Sequence, residues 1–453
     1  MEKLFGTDGI RGEVGKYPLT QEAVFAIGKT LGKWLKQIHP QEKKLKVILG
    51  KDTRESGDEL EAALLAGVMQ EKIEAVRLGT CPTPTVAYLT ILLKAQLGIA
   101  ISASHNPGSD NGIKFFGHDG YKLFPEAEKL IEGIFSKSYA NSTPTKSANQ
   151  VFADELDYFP AYLEFVKKSL NGQSLKGLKI VLDCAYGSFS EVAPRVFRAL
   201  GAEVIVLHNE PDGTNINVNC GTLYPQLMSK AILEHKAALG IAFDGDGDRV
   251  IAGDENGVIL DGDQIMAILG KYLLEEQRLP GKLIISTQMS NIGFEILLQQ
   301  MGIRLIRTEV GDKYVLQEML KQHAVLGGEQ SGHIIILGRS TTGDGLIAAL
   351  ELIKVMLKRK KRLSALNADF EKFPQILVNV RVKQKKPFSH IPGLEEALEC
   401  CQTELGKKGR ILLRYSGTEK LARIMIEGKT QTQVKDMADS LAVIIRNDIG
   451  EDR

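Results

Sequence analysis

The stretch Leu97-Gly-Ile-Ala-Ile-Ser-Ala-Ser-His-Asn-Pro-Gly108 joins a short apolar run to a turn. The apolar run, residues 97–101, predicts a short buried strand. Residues 106–108 do not suit a strand and indicate a tight turn. Ser104 and His105 therefore stand just past a strand end. This setting suits a serine that receives and donates a chemical group, although a solvated turn would have the same pattern.

Helical and strand patterns alternate ahead of this strand. Apolar residues recur either at helical spacing or in short runs bounded by turn residues. The predicted elements are helices over 21–38, 59–69 and 85–93 and strands over 45–50 and 73–78. Such alternation predicts a mainly parallel or mixed sheet with helices packed on it.

The same alternation occurs twice more along the chain and then changes near residue 373. A polar segment rich in Ser, Thr, Asn and Pro, residues 136–150, indicates a domain boundary. The last segment has few parallel-type crossovers. We therefore predict three similar mixed-sheet α/β domains and a small C-terminal α+β domain. Their predicted ranges are 1–150, 151–255, 256–370 and 371–453.

Composition narrows the classes of protein that the chain can represent. It has 453 residues, of which 43% are hydrophobic and 25% charged, as is typical of globular proteins. A formal net charge of +1 gives no strong field to attract nucleic acid or an anionic membrane, and no apolar run reaches spanning length. Five scattered cysteines favour a reducing compartment over a disulfide framework. We expect a cytoplasmic protein with no nucleic-acid or membrane partner.

The segment Asp244-Gly-Asp-Gly-Asp-Arg249 places three carboxylates at alternate positions, separated by glycines. Such a loop can surround one hard cation, which would also relieve the repulsion among the carboxylates. An EF-hand has similar spacing, but Arg249 stands where its turn needs glycine, and the flanking segments are strand-like. We predict a divalent metal site in a partly open loop. Arg249 would hold a phosphate that the metal also contacts.

The segment Gly328-Glu-Gln-Ser-Gly-His333 follows a strand predicted to end at Leu326. Glu329, Ser331 and His333 alternate, so in an extended loop their side chains would face one way. This set suits hydrogen bonding to the hydroxyls or amine of a sugar. A polar β-turn remains an equally good interpretation.

Two more loops could bind an anion. Arg414-Tyr-Ser-Gly-Thr-Glu419, with Arg423 shortly after, offers amides and guanidinium groups to an oxyanion, although an exposed hairpin fits as well. Lys51-Asp-Thr-Arg-Glu-Ser-Gly57 opens a helix and could present Arg54 to an anion, although it could equally be an ordinary capped helix start.

These motifs, together with Phe5-Gly-Thr-Asp-Gly-Ile-Arg-Gly12, occur in one order along nearly the whole chain. In that order the sequence resembles the α-D-phosphohexomutase superfamily, and within it the bacterial phosphoglucosamine mutases. Thr308-Glu-Val-Gly-Asp-Lys-Tyr-Val315 resembles that branch. Ser286-Thr-Gln-Met-Ser-Asn291 lacks the lysine of the phosphomannomutase/phosphoglucomutase branch. The resemblance implies four domains around one central cleft.

The resemblance also implies roles for individual residues. Ser104 would be the phosphoserine. One Mg²⁺ per chain would be held by that phosphate together with Asp244, Asp246 and Asp248. Sugar hydroxyls would be read by Glu329 and Ser331, with His333 in the same loop. The phosphate that is not reacting would be held by Arg414, Ser416, Gly417, Thr418 and Arg423. Close to the phosphoserine would lie Arg11, His105 and Lys114.

The implied activity is the interconversion of glucosamine 6-phosphate and glucosamine 1-phosphate, feeding amino-sugar nucleotide and cell-wall precursor synthesis. A 1,6-bisphosphate would serve as intermediate and activator, and the enzyme would be a monomer or a homodimer. A phosphomannomutase/phosphoglucomutase remains an alternative. So does a non-catalytic sugar-phosphate sensor, although the intact serine and aspartates count against it. Tyr415 stands where the superfamily usually has proline, and we expect it to loosen its loop.

Overall fold

The computed structural model describes residues 3–6, 8–139, 154–416 and 420–451. These divide into two compact units. The first unit contains Met1–Met289 and Leu305–Ala368, and the second contains Ser290–Arg304 and Asp369–Arg453. Most of the predicted boundary segment, residues 140–150, lies outside the described residues, as do Gly417 and Thr418.

The N-terminal segment forms a six-stranded mixed sheet in the order β1-β5-β4-β2-β3-β6. Its strands are β1 (Ile10–Glu13), β2 (Lys46–Lys51), β3 (Glu74–Thr80), β4 (Leu97–Ile101), β5 (Asp110–Gly117) and β6 (Asp154–Glu155). Its helices are α1 (Gln21–Ile38), α2 (Gly57–Gln70), α3 (Thr83–Leu92) and α4 (Pro125–Ser138). β4 is buried along its whole length, as its apolar run predicts, and pairs parallel with β2 and antiparallel with β5. The serine loop is therefore the connection between two neighbouring strands.

Helix α1 matches its predicted range. Thr20 caps it by accepting a hydrogen bond from the Ala23 amide, and one face packs into the core of the first sheet. At 18 residues α1 is among the longer helices. None of the described helices combines the length and the hydrophobicity needed to cross a membrane.

The next segment forms a five-stranded sheet in the order β11-β10-β9-β7-β8. Its elements are β7 (Lys179–Asp183), β8 (Glu203–Leu207), β9 (Leu239–Phe243), β10 (Val250–Gly253), β11 (Ile259–Leu260), α5 (Phe159–Lys167), α6 (Phe189–Ala199) and α7 (Gln226–His235). The aspartate loop joins β9 to β10, which pair antiparallel. Strands on both sides rule out an EF-hand, as the sequence predicts.

A third sheet has four strands in the order β13-β12-β14-β15. They are β12 (Leu283–Thr287), β13 (Arg304–Thr308), β14 (Leu326–Gly328) and β15 (Ile334–Ile336). The helices are α8 (Gly262–Glu275), α9 (Ile292–Gln300), α10 (Asp312–Gln322), α11 (Gly345–Arg359) and α12 (Leu363–Leu366), of which α9 belongs to the second compact unit. The segment that contains Glu329 joins β14 to β15 as a hairpin, and β14 runs two residues beyond its predicted end.

The C-terminal segment is the predicted small α+β arrangement. A three-stranded antiparallel sheet, in the order β16-β18-β17, packs against a long helix through one apolar core. The elements are β16 (Gln375–Arg381), β17 (Arg410–Tyr415), β18 (Leu421–Glu427), α13 (Leu394–Leu405) and α14 (Gln431–Ile449). The predicted α/β class with mixed sheets is thus confirmed in the first three segments, and the predicted α+β class in the fourth.

Candidate active site

The loop after β4 holds Ser104 by hydrogen bonds to its backbone. Ser104 has a left-handed backbone with φ of 54°, and its amide donates to Ser102 Oγ over 2.8 Å. Ser102 Oγ in turn donates to Asp52. Arg54 donates to the carbonyls of Ser104 at 3.2 Å and Asn106 at 2.7 Å. Because the backbone is held on several sides, the position of the Ser104 side chain is fixed.

Arg54, which the sequence offers as a possible anion ligand, instead pairs with groups of the protein itself. Its guanidinium is buried and forms an ion pair with Asp52. The same guanidinium donates to the backbone of the serine loop. The Asn217 side chain adds a second hydrogen bond to the Ser104 carbonyl, over 2.9 Å. The basic residue of this loop is therefore a support for Ser104.

The three aspartates lie directly against Ser104. Its hydroxyl donates to Asp244 Oδ2 over 2.6 Å. A Cβ at Gly245 would lie 2.7 Å from the Ser104 carbonyl, so only glycine allows this approach. Asp244 and Asp246 are fully buried and Asp248 is 3% exposed. The expectation of a partly open loop is therefore wrong, because the serine loop and Lys114 of β5 pack against it.

A single ammonium group neutralises part of the negative charge of these buried carboxylates. Lys114 Nζ lies 2.7 Å from Asp246 Oδ2, 3.0 Å from Asp248 Oδ2 and 3.3 Å from Asp8 Oδ2. Its side chain projects from β5, the strand that follows the serine loop, and it is also buried. The cluster thus accommodates a positive charge between the carboxylates.

The carboxyl groups remain electrostatically unequal. Burial, together with Asp248 and Asp246, raises the pKa of Asp244 to about 8. Burial also acts to raise the pKa of Asp248, but Lys114 and His333 hold it well below its usual range. A further cation beside Asp244 would therefore favour its ionised form.

The donor set fits a hard divalent metal ion. Asp246 Oδ1 and Asp248 Oδ1 are buried, and neither has a hydrogen-bond partner within the described ranges. Oxygens of the three aspartates lie within 4.8 Å of one another. Clustered carboxylate oxygens are the ligands that Mg²⁺ and Ca²⁺ prefer.

His333 does not lie beside Glu329 and Ser331, contrary to the expectation that the three side chains face one way. The loop turns at Gly332, which has φ of 94°. The imidazole is buried, with Nδ1 3.5 Å from Asp248 Oδ1 and Nε2 3.5 Å from an oxygen of Asp312. This placement suits support of the aspartate cluster better than contact with a sugar.

Glu329 and Ser331 do lie together. The Ser331 hydroxyl is 3.4 Å from Glu329 Oε2, and the Gly311 amide donates to Glu329 Oε1 over 3.1 Å. Ser331 is exposed and Glu329 half-buried, so both oxygens can reach a ligand. The pair is placed as hydrogen-bonding groups on the β14–β15 hairpin.

We expect His333→Gln to weaken binding of a divalent ion about 10- to 100-fold, the range seen when groups that orient metal ligands are lost. The KM for a sugar phosphate should stay near its wild-type value, because the imidazole faces Asp248. The measurement is a titration with the divalent ion, in which enzyme activity and melting temperature are recorded at each concentration. A raised KM with unchanged metal dependence would instead show that His333 contacts the sugar.

The other predicted basic residues lie around the serine. His105 Nδ1 is 3.3 Å from Ser104 Oγ. Burial, with the nearby charges of Arg249 and Arg11, lowers the pKa of His105 to about 4. The backbone amide of Arg249 donates to Asp244 over 3.1 Å, and its buried Nε has no hydrogen bond to any described residue. Arg249 therefore retains donor capacity for a phosphate.

In the C-terminal unit, Arg414 and Arg423 stand directly opposite each other on β17 and β18. Burial and the charge of Arg423 lower the pKa of Arg414. Lys385 donates to the carbonyl of the buried Ser416 over 2.6 Å. Two guanidinium groups in register favour an anion between or beside them.

Tyr415 does not loosen the strand that carries it. Its ring stacks on Phe388 with centroids 4.4 Å apart, and its hydroxyl donates to the Lys386 carbonyl. The tyrosine is thus held through both its ring face and its hydroxyl. The expectation of a looser loop falls on residues 417–419, which lie outside the described residues.

Four family models match the chain. They are the alpha/beta/alpha domains I, II and III of phosphoglucomutase/phosphomannomutase, over residues 2–142, 160–257 and 261–373, and the C-terminal domain, over residues 377–443. A Chlamydia pneumoniae protein named phosphoglucosamine mutase is 45% identical, covering 99% of this chain and 98% of its own. One from Solidesulfovibrio magneticus is 46% identical, covering 98% of each chain.

The chain belongs to the phosphoglucosamine mutases of the phosphoglucomutase/phosphomannomutase family. Solved structures agree on the fold. A Burkholderia thailandensis family member aligns with a TM-score of 0.79 at 21% identity, covering 99% of both chains. An Aspergillus fumigatus N-acetylphosphoglucosamine mutase aligns with a TM-score of 0.66 at 17% identity, covering 94% of this chain and 97% of its own.

Several residues around this mutase-family site are missed by sequence reasoning. Thr83 donates to Asp246 over 2.6 Å, and Lys122 forms ion pairs with Asp8 and Asp312. Asp8 stands inside the motif Phe5–Gly12, so the sequence could have indicated that it belongs to the site. Asp312 likewise stands inside the segment Thr308–Val315 that carries the resemblance. Thr83 carried no such signal, since its partner Asp246 lies more than a hundred residues away.

Proposed function

We propose that this protein interconverts glucosamine 6-phosphate and glucosamine 1-phosphate, with Ser104 as the phosphoryl carrier. The observation that carries the proposal is the Ser104 hydroxyl, buried 2.6 Å from Asp244 inside a cluster of three aspartates. Relatives of 43–46% identity over nearly the whole chain bear the same function in their names. The enzyme is accordingly an isomerase that acts by phosphoryl transfer.

The metal in this proposal is one Mg²⁺, held by Asp244, Asp246, Asp248 and a phosphate on Ser104. The described carboxylate oxygens without partners support it. The Aspergillus fumigatus structure was solved with GlcNAc-6P and magnesium, which agrees with this choice of ion and ligand. When bound, the ion would neutralise charge on the phosphoryl group. Lys114 would share that task from its position against Asp246 and Asp248.

Phosphoryl transfer then proceeds between Ser104 and a sugar hydroxyl. The substrate hydroxyl loses its proton as its oxygen bonds to phosphorus; the bond to Ser104 Oγ breaks, and the serine oxygen keeps the electron pair and takes up one proton. Arg249 and Arg11 stabilise the charge on the phosphoryl oxygens. The product of this half-reaction is a 1,6-bisphosphate, which is both intermediate and activator. It must return its other phosphate to Ser104.

The four predicted domains would divide this work. Residues 1–150 would carry the phosphoserine, 151–255 the metal ligands, 256–370 the sugar-reading pair Glu329 and Ser331, and 371–453 the second phosphate site. That second site would consist of Arg414, Ser416, Gly417, Thr418 and Arg423. We further propose a cytoplasmic location and a monomer or homodimer that acts on small sugar phosphates.

The substrate is tested by comparing rates on the phosphates of glucosamine, glucose and mannose, using purified protein phosphorylated on Ser104. We expect the highest kcat/KM with glucosamine phosphate. A preference for mannose or glucose phosphate would point to the phosphomannomutase/phosphoglucomutase alternative. Binding without any turnover by the phosphorylated protein would favour a sensor.

We expect Arg414→Ala to raise KM, slow turnover and release measurable free 1,6-bisphosphate. The change removes a charge-assisted contact worth about 1.5–3 kcal/mol, or roughly 10- to 150-fold in affinity. Free bisphosphate is followed in a single turnover. Arg381→Ala, an exposed arginine on β16 of the same sheet, is the matched control and should behave like wild type.

Phosphorylation of Ser104 should persist in Arg414→Ala, because this guanidinium holds the phosphate that is not reacting. If the variant bound substrate normally but lost phosphorylation of Ser104, Arg414 would belong to the reacting centre, and the second phosphate site would have to be sought elsewhere.

A further inference from the structure

A second group of possible metal ligands lies at the carboxyl ends of β7 and β8. Asp183 is the last residue of β7, and His208 directly follows β8. Cys220 lies in the long connection after His208. One ligand atom from each residue lies within 4.8 Å of the others. Asp183 and Cys220 are buried, whereas the His208 side chain is 18% exposed.

The contact between His208 and Asp183 is unusual. Nδ1 of the imidazole lies 3.0 Å from Asp183 Oδ1. Nevertheless Nδ1 is buried and makes no hydrogen bond to any residue in the described ranges. With a proton on Nδ1 this contact is attractive but poorly aligned for a hydrogen bond, and without that proton the lone pairs of both atoms can be directed at one cation.

The backbone around the group holds the carboxylate in place. The Ala185 amide donates to Asp183 Oδ1 over 3.0 Å, and the Gly221 amide donates to Asp183 Oδ2 over 3.0 Å. His208 and Ala185 both have left-handed backbones, with φ of 53° and 55°. Non-glycine residues in this conformation persist where surrounding structure enforces them, as ligand sites often do.

We propose that Asp183, His208 and Cys220 form a binding site for a divalent transition-metal ion of the zinc type. Imidazole, thiolate and carboxylate are the ligands that zinc takes, with one tetrahedral position left for water on the exposed side of His208. The site differs in kind from the aspartate cluster, whose oxygen-only donors suit a hard ion.

Binding at this site releases a proton. Burial, together with the charge of Asp183, raises the pKa of the Cys220 thiol to about 12. The ion forms a bond to sulfur as the S–H proton leaves to solvent, and the metal charge compensates the new thiolate.

The consequence for the enzyme is structural. The Ala185 carbonyl accepts a hydrogen bond from the Asn217 amide over 2.9 Å, and the Asn217 side chain donates to the Ser104 carbonyl. A metal that joins Asp183, His208 and Cys220 therefore braces the segment that supports the serine loop. We expect it to stabilise the protein without taking part in phosphoryl transfer.

The test is titration of the full chain with Co²⁺, whose bond to a thiolate gives a charge-transfer absorption band that oxygen ligands do not give. Cys400→Ser/Cys401→Ser serves as the background, because these neighbouring cysteines are accessible. One equivalent of Co²⁺ should produce the band, and Zn²⁺ should displace it. The band should remain in Asp246→Asn and in Cys184→Ser, another buried cysteine, and disappear in Cys220→Ser.

His208→Asn is the second variant, because asparagine tolerates a left-handed backbone and lacks the imidazole. It should weaken Co²⁺ binding at least tenfold while retaining wild-type circular dichroism. Zn²⁺ should raise the melting temperature of the background protein and not that of this variant. Absence of the band in the background protein, or its persistence in Cys220→Ser, would overturn the proposal whether or not the mutase activity is confirmed.

Discussion

Ser104→Ala is expected to lose the phosphorylated form of the protein and to lower turnover more than about 10³-fold. Ser104 Oγ is the only hydroxyl that donates to Asp244 among the described contacts of that carboxylate, so no neighbouring hydroxyl takes over its position. Ser102 is already engaged, since its hydroxyl donates to Asp52 and accepts from the Ser104 amide. The measurements are intact mass and mutase rate.

The fold should tolerate this change. The left-handed backbone at φ of 54° has a similar conformational energy cost for alanine and for serine. The hydrogen bonds of the Ser104 amide and carbonyl do not involve its side chain. Ser109→Ala, an exposed hydroxyl on the same loop, is the matched control and should keep both phosphorylation and rate. Wild-type turnover in Ser104→Ala would contradict the role of Ser104 as carrier.

Local sequence patterns located the elements that place the serine and the aspartates. Helix α1 occupies its predicted range, and β4 coincides with the apolar run of residues 97–101. These segments are apolar runs or amphipathic stretches whose burial is decided by their own composition. Strands β1 and β5 were not predicted, because glycine and charged residues interrupt their apolar character.

The site itself was predictable only in part. The spacing of the aspartates indicated a shared cation, but their burial depends on β5 and the serine loop, which lie more than a hundred residues away. The pairing of Lys114 with Asp246, and of His333 with Asp248, is likewise a product of tertiary structure. A period-two pattern placed His333 beside Ser331, whereas the turn at Gly332 reversed its direction.

Asp246→Asn is expected to weaken Mg²⁺ binding and to lower kcat about 100-fold or more. The charge stabilisation that a metal gives to phosphoryl transfer is several kcal/mol, and about 1.4 kcal/mol corresponds to a factor of ten. Removing one of three carboxylate ligands forfeits a large part of it. The measurement is the rate as a function of Mg²⁺ concentration, with thermal melting at each concentration.

Without metal, the free energy of unfolding of the variant should lie within about 1 kcal/mol of that of the wild type. Lys114 keeps its ion pairs with Asp248 and Asp8, and the asparagine oxygen can still accept from Thr83. Losing one negative charge also relieves repulsion within the cluster. Added Mg²⁺ should therefore raise the melting temperature of the wild type more than that of the variant.

Asp254→Asn is the matched control for this experiment. Asp254 is a buried aspartate in the turn after β10, and its Oδ1 accepts from the amides of Asn256 and Val258, which an asparagine oxygen can also do. It should retain the wild-type Mg²⁺ dependence. If metal-free Asp246→Asn unfolded while Asp254→Asn did not, the ion pair between Asp246 and Lys114 would be a structural requirement. Equal Mg²⁺ dependence in the two variants would show that Asp246 is not a metal ligand.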